Sequence, residues 1–299
     1  MTTQTKPRLH YPNIFWLAVA HLLALVAIPY FSWGGLAIAL VGLFLVAPLG
    51  VNLGFHRLLT HRSLKVHRYL EYFFATLGAM VGGGPPLHWV AEHRLHHRYS
   101  DTDKDPHNSR KGFWFAHVTH LFYHKEFEDR EEQWMKYVPD LSGDRYFRFL
   151  NKYWIGFAAL TLPLLYIWGG ISFVLWGGFV RIVLMLHITW FVNSASHMWG
   201  YQNYKTTDNS KNCWWVGLLG AGEGWHNNHH AFPNSAAHGH LWWEFDFTYL
   251  VIRGLKFLGL ARDVKLPAMR LHKTSLATTS LQAEIKIGED ELDLLVPHT

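Results

Sequence analysis

Four stretches of the chain are apolar enough, and long enough, to cross a bilayer. Residues 13–31 (NIFWLAVAHLLALVAIPYF) and 34–55 (GGLAIALVGLFLVAPLGVNLGF) hold no acidic residue, Lys or Arg. A bilayer core asks for about 20 apolar residues as helix, so each can span. Only Ser32 and Trp33 separate them, which predicts a tight helical hairpin. Residues 153–180 are again uncharged, and WGGIS at 168–172 splits this run. The pattern predicts a second hairpin, with spans at 153–169 and 173–193. Arg181 falls inside the fourth span, where a charge is costly, and is expected to snorkel outward. One further apolar run, 69–90, carries Glu71, three consecutive glycines and Pro85-Pro86. Such a run makes a poor spanning helix, and an interfacial or re-entrant segment is expected. The stretch from about Lys273 onward is polar, with GEDELD at 288–293, and reads as a disordered tail, 273–299, behind a single domain of residues 1–272.

Charge orients this plan. Neither hairpin tip carries Lys or Arg, whereas the N-terminus, residues 56–152 and residues 195–299 carry nearly all of them. The positive-inside rule then puts both termini and the long segments in the cytoplasm. The expected fold is an all-α integral membrane protein: four transmembrane helices in two hairpins, with a cytoplasmic helical cap. Composition agrees. Aromatic residues make up 16%, charged residues only 16%, and mean hydropathy is +0.00, as for apolar spans joined to a substantial polar part. A net charge of +5 suits a surface against anionic lipid. The basic residues form no dense runs, so nucleic acid is not an expected partner. No cleavable signal peptide is evident in the polar, basic start MTTQTKPRLHYPN.

The chemistry lies in the histidines, 22 of 299 residues. HRLLTH supplies His56 and His61; EHRLHHRYSDTDKDPH supplies His93, His96 and His97; GEGWHNNHHAFP supplies His226, His229 and His230. On a helix, positions i, i+3 and i+4 share a face, which fits the second and third clusters. Asn193 and His197, in NSASH, are i and i+4 at the cytoplasmic end of the fourth span. All these groups fall on one side of the membrane, so 69–90 should not cross it. Nine histidines and one asparagine suffice for two metal ions. The single cysteine, Cys213, excludes a disulfide within the chain and any Cys-based cluster. Imidazole and neutral oxygen suit iron, zinc or copper, and two such metals close together can activate dioxygen, though zinc has no redox chemistry. His21 and His187, within spans, are expected to pack or hydrogen-bond. His238 and His240 are expected beside the site or at the surface.

HRLLTH, HRLHH and HNNHH, together with KGFWFAH and TWFVNSASHMWG, resemble the three histidine boxes of membrane fatty-acyl desaturases over about residues 13–267. The chain is most similar to the Δ9 desaturases of bacteria and cyanobacteria, and WHNNHHAF with HGHLWWEFDFTYLVI resembles their acyl-lipid branch. The resemblance implies a di-iron enzyme that uses dioxygen and two external electrons to place a cis double bond at C9 of a saturated C16 or C18 chain. It implies that His56, His61, His93, His96, His97, His197, His226, His229 and His230 bind iron, that Asn193 contacts iron through water, and that Trp89 and Trp190 stand at the bend of the substrate tunnel. It implies an electron donor, ferredoxin or a cytochrome b5-like protein, since no haem-binding pattern follows the domain.

The carrier of the acyl chain is left open between a glycerolipid and coenzyme A. Ala91 stands where animal acyl-CoA enzymes have a basic residue, and His124-Lys125 keeps only part of a basic pair, which favours the lipid. Arg94 and Arg98 are still candidates for a phosphate. Two other readings have distinct signatures: a hydroxylase on the same boxes would yield alcohols, and a metal transporter would carry its ligands near the middle of its spans.

Overall fold

The computed structural model describes residues 8–124, 127 and 130–267. The tail expected at 273–299 lies outside them, as does Lys125. The apolar runs are helical. Helix α1 is Tyr11–Val26, an apolar helix. After a short turn, Ser32 Oγ accepts the Gly35 N–H and starts α2, Trp33–Thr60. Arg145–Met198 is likewise one long apolar stretch; it and α2 are the two stretches, among the described residues, long and apolar enough to cross a membrane. It is interrupted where WGGIS predicts a break: Gly169 (φ −149°) and Gly170 (φ +64°) leave helical geometry. Shorter helices follow α2. They are α3 (Arg68–Met80), α4 (Pro86–Tyr99), α5 (Phe113–His117), α6 (Glu131–Met135) and α7 (Pro139–Ser142). Then follow α8 (Arg145–Phe173), α9 (Arg181–Asn193), α10 (Ala195–Met198), α11 (Trp214–Leu219), α12 (His226–Ala231) and α13 (Phe247–Phe257). A two-stranded antiparallel pair, Lys65–Val66 with Ala261–Arg262, ties the segment after α2 to the chain after α13.

The run 69–90 forms no single helix. It divides at Gly82-Gly83-Gly84, with positive φ at Gly82 and Gly84, and α4 restarts on Pro86, a residue suited to a first helical turn. Asn151 of α8 caps that start: its Oδ1 accepts from the backbone N–H of Leu87 and His88. Arg94, one turn before the end of α4, donates to the carbonyls of Leu59 and Thr60, which the end of α2 leaves unpaired, and to Asp140. α2 and α4 are thereby locked end to side.

Two expectations change here. Arg181 does not snorkel. It is buried, and its guanidinium donates to the Gly177 and Val81 carbonyls, joining the fourth apolar stretch to the Gly82 break. An internal carbonyl acceptor removes the need to reach water. Arg94, a candidate for phosphate, is committed to Asp140 and to backbone carbonyls instead.

Helix α3 lies against α2 at Gly50, Gly54 and Gly78. A Cβ on Gly50 would sit 2.4 Å from Gly78 N and 2.6 Å from Leu77 C, both backbone atoms that cannot step aside. Gly50→Val is therefore expected to push the helices apart and cost about 1–3 kcal/mol or more. Because α2 carries His56, bound metal per chain should fall along with the melting temperature in detergent.

Candidate metal centre

The three histidine boxes sit on three different local structures. In α2 the turns widen from Gly42 onward to i→i+5 hydrogen bonding, and His61 N–H donates to the His56 carbonyl. This matters for HRLLTH. On an α-helix, positions five apart point about 140° away from each other. A π-type turn brings them towards one face, and the His56 and His61 rings stand 4.8 Å apart. HRLHH lies on the last turns of α4 and HNNHH forms α12. The two asparagines of HNNHH anchor that short helix. Asn227 Oδ1 accepts from the Asn203 and Tyr204 backbone, and Asn228 donates to the His238 carbonyl and to Glu244.

All nine histidines converge, in two groups. His56, His61, His93, His97 and His229 form one; His96, His197, His226 and His230 form the other. Within each group the potential ligand atoms lie within 4.8 Å of one another. The partition cuts across the boxes. The i, i+4 pairs His93/His97 and His226/His230 stay together, with Nε2 atoms 3.0 Å apart in each pair. The i+3 residues His96 and His229 cross to the opposite group. HRLHH and HNNHH therefore each feed both groups, while HRLLTH feeds the five-histidine group alone.

The outer nitrogens fix what the inner ones present. In the four-histidine group, Nδ1 of His96 donates to Asp105 (3.0 Å), Nδ1 of His197 to Asp101 (3.1 Å) and Nδ1 of His230 to Asp208 (2.6 Å). A carboxylate only accepts, so these rings carry their proton on Nδ1 and turn an Nε2 lone pair inward. In the five-histidine group His56 Nδ1 donates to Glu223 (2.6 Å), and its Nε2 lies 3.1 Å from that of His229. His61 Nε2 and His96 Nε2 are buried with no hydrogen-bond partner. Lone pairs converging in a dry site repel unless a cation lies between them, so each donor set fits a metal ion.

The electrostatics agree. Burial, reinforced by neighbouring histidines, holds His61, His93, His97, His226 and His229 well below the usual histidine range. His230 is pushed down to about 4 by burial, against the pull of Asp208. These rings are neutral at pH 7, the form that ligates. Burial also opposes ionisation of Asp101, Asp105 and Asp208, but their histidine partners outweigh it and keep all three as carboxylates.

A cavity of about 450 Å³ opens beside the five-histidine group. Its wall runs from Trp16, Leu17, Val51 and Leu186 to His93, His107 and Asn193. Trp89 and Trp190 both line it; Trp89 stacks on His93 with ring centres 5.1 Å apart. Asn193 stands on the same cavity wall.

Comparison with known proteins agrees with this geometry. The profile described as "Fatty acid desaturase" matches residues 31–255. The chain belongs to the fatty acid desaturase family, which is membrane-bound. Its relatives include an sn-1 stearoyl-lipid 9-desaturase of Anabaena variabilis, 48% identical over 269 residues, covering 89% of this chain and 97% of the relative. The palmitoyl-monogalactosyldiacylglycerol delta-7 desaturase of Arabidopsis thaliana is 46% identical over 261 residues (87% of this chain, 70% of the relative). An sn-2 palmitoyl-lipid 9-desaturase of Nostoc is 44% identical over 264 residues (87% and 91%).

Several groups around this desaturase's centre carry no clear mark in the sequence. Asp101, Asp105 and Asp208 hold ligand-group rings, as does Glu223, which also accepts from Arg57. His238 is fully buried, 4.4 Å from the His229 ring and 3.4 Å from Glu223, and belongs beside the site as expected. Asp101 and Asp105 could have been found from SDTDKDPH, whose acids follow directly on HRLHH. Asp208 and Glu223 offer no such cue beyond nearness to HNNHH.

Proposed function

We propose that this desaturase is a di-iron, dioxygen-dependent enzyme that introduces a cis double bond at Δ9 of a saturated C16 or C18 acyl chain carried on a glycerolipid. The observation that carries this reading is the pairing of two converging imidazole sets with a largely apolar cavity that reaches the five-histidine set at His93. The names of the Anabaena and Nostoc relatives support both the bond position and the lipid carrier. Among the described residues, none that lines the cavity is Lys or Arg, the partners that the phosphates of coenzyme A would call for.

The reaction removes two hydrogens from adjacent methylenes and reduces one dioxygen to two waters, with two electrons and two protons supplied from outside. Bound iron would supply the oxidant for an unactivated C–H bond. The chain's own residues do the rest. His56, His61, His93, His97 and His229 would hold one iron, and His96, His197, His226 and His230 the other, with Asn193 reaching the second through water. The carboxylates keep Nδ1 of His56, His96, His197 and His230 protonated and aim the lone pairs of those four rings. The cavity wall holds the acyl chain in one register and keeps water out. Four spans, about 13–31, 34–55, 153–169 and 173–193, would carry the cap and both termini on the cytoplasmic side, where a ferredoxin or cytochrome b5-like donor docks on a basic surface.

The test is lipid mass spectrometry in a host without its own desaturase, with a ferredoxin supplied. New cis-Δ9 chains that arise within lipid already esterified before a pulse-chase are expected. Conversion of labelled acyl-CoA ahead of lipid would overturn the carrier, and hydroxy acids would overturn the reaction.

A further inference from the structure

Three histidines outside the metal groups form a line. His21 of α1 donates from Nδ1 to the Leu17 carbonyl (2.7 Å). Its Nε2 lies 3.1 Å from His187 Nε2 on α9. His187 Nδ1 lies 3.0 Å from His117 Nε2 on α5, and His117 Nδ1 lies 3.0 Å from Ser194 Oγ. Leu17 O can only accept, so His21 carries its proton on Nδ1 and accepts at Nε2 from His187. At the other end Ser194 Oγ stands 3.0 Å from His117 Nδ1 and donates to the Trp190 carbonyl (2.7 Å), so the line closes on the backbone of Trp190 itself. Burial, with His187 next to it, pushes His117 down to about 4.

The line ends on two walls of the cavity. Leu17, whose carbonyl takes the final proton, lines it, and so does Trp190. His117 and His187 both stand edge-on to the Trp190 indole, with ring centres 5.6 and 5.1 Å away. Trp190 has no freedom on that side: it is 4% exposed and boxed by two rings that are themselves bonded end to end.

We propose that the line Ser194–His117–His187–His21 is a positioning device: it seats the Trp190 indole against the α1 wall and so sets which methylene pair of the acyl chain faces the metal groups. This rests on the cavity being the acyl site. Relatives with 42–48% identity carry names that differ in bond position, 9, 7 and 5, so a choice of register has to be made somewhere in the fold.

The test is double-bond position in the products of His187→Phe, which keeps the volume and cuts the line, scored beside metal content. Positional isomers other than Δ9 are expected to rise about tenfold, with metals per chain unchanged. His187→Gln, which can still donate and accept, should restore the wild-type pattern in part. If His187→Phe does not fold, His21→Leu cuts the same line at its far end and should give the same isomers in smaller amount. Variants that keep their metal and make only the Δ9 product at a lower rate would overturn the proposal. A wild type that makes no unsaturated product would instead overturn the functional reading beneath it.

Discussion

His226→Ala is expected to lose one of two metals and all desaturation. His226 sits at the centre of the four-histidine group, its Nε2 3.1 Å from that of His197 and 3.0 Å from that of His230. Four imidazoles make up that group. Losing even an outer hydrogen-bond partner of a ligand typically costs 10–100-fold in metal affinity, so removing a ligand outright should cost more than about 100-fold. The five-histidine group keeps every member, so metal analysis of the purified variant should give about one ion per chain where the wild type gives two. Asp208→Asn is the graded comparison. It leaves the His230 ring in place but replaces the carboxylate that holds its proton on Nδ1 with a neutral amide. Its metal affinity should fall within the 10–100-fold range and recover at higher iron concentration. A His226→Ala variant that still bound two ions, or still altered the lipids, would refute the assignment of the second group.

The clusters themselves were legible because helical periodicity acts locally. HRLHH and HNNHH each place three rings on one face whatever the rest of the chain does. Which ring serves which group was not legible. The i+3 residue and the i+4 residue of one helix point about 100° apart, and the position of the neighbouring helix decides whether that gap spans one group or two. HRLLTH shows the opposite case. Its spacing of five looks wrong for an α-helix and becomes productive only because α2 widens before it. The break at Gly169-Gly170 followed from WGGIS, since glycine admits the positive φ found at Gly170. Arg181 was misread because its acceptor, the Val81 carbonyl, lies 100 positions away and is exposed only by the Gly82 break. Glu223 was missed for the same reason: it is 167 positions from His56, and sequence spacing carries no trace of a bond closed by tertiary packing. HNNHH also shows a residue type read too narrowly: its asparagines separate the ligands, and they also carry the hydrogen bonds that fix α12 against the segment at 203–212.

Arg57→Met should unfold the His56 end of α2. Arg57 follows His56 directly and is fully buried. Its guanidinium donates to the Ala236 carbonyl (2.7 Å), to Asp246 (2.9 Å) and to Glu223 (3.0 Å). Glu223 in turn holds His56, and Asp246 accepts from the His238 backbone and caps α13 at Tyr249. One cation thus joins the five-histidine group, the chain after α12, and α13. Methionine fills similar volume without charge, so what is lost is compensation for two buried carboxylates. Breaking a buried ion pair from one side costs about 3–5 kcal/mol, against a total stability of about 5–15 kcal/mol for a typical domain. Glu223 would also change character. Burial works to protonate it, and it is an anion only because His56, His238 and Arg57 outweigh that. Without Arg57 it moves towards its neutral form and its grip on the His56 ring weakens. The expected result is a small yield of folded protein in detergent, with metal missing first from the five-histidine group. Arg62→Met is the control. Arg62 also pairs with Asp140, but its side chain is 35% exposed, and a pair of that kind contributes about 1 kcal/mol or less. A wild-type melting temperature and two metals in Arg57→Met would mean that helix packing alone, and not this buried charge network, holds His56 in place.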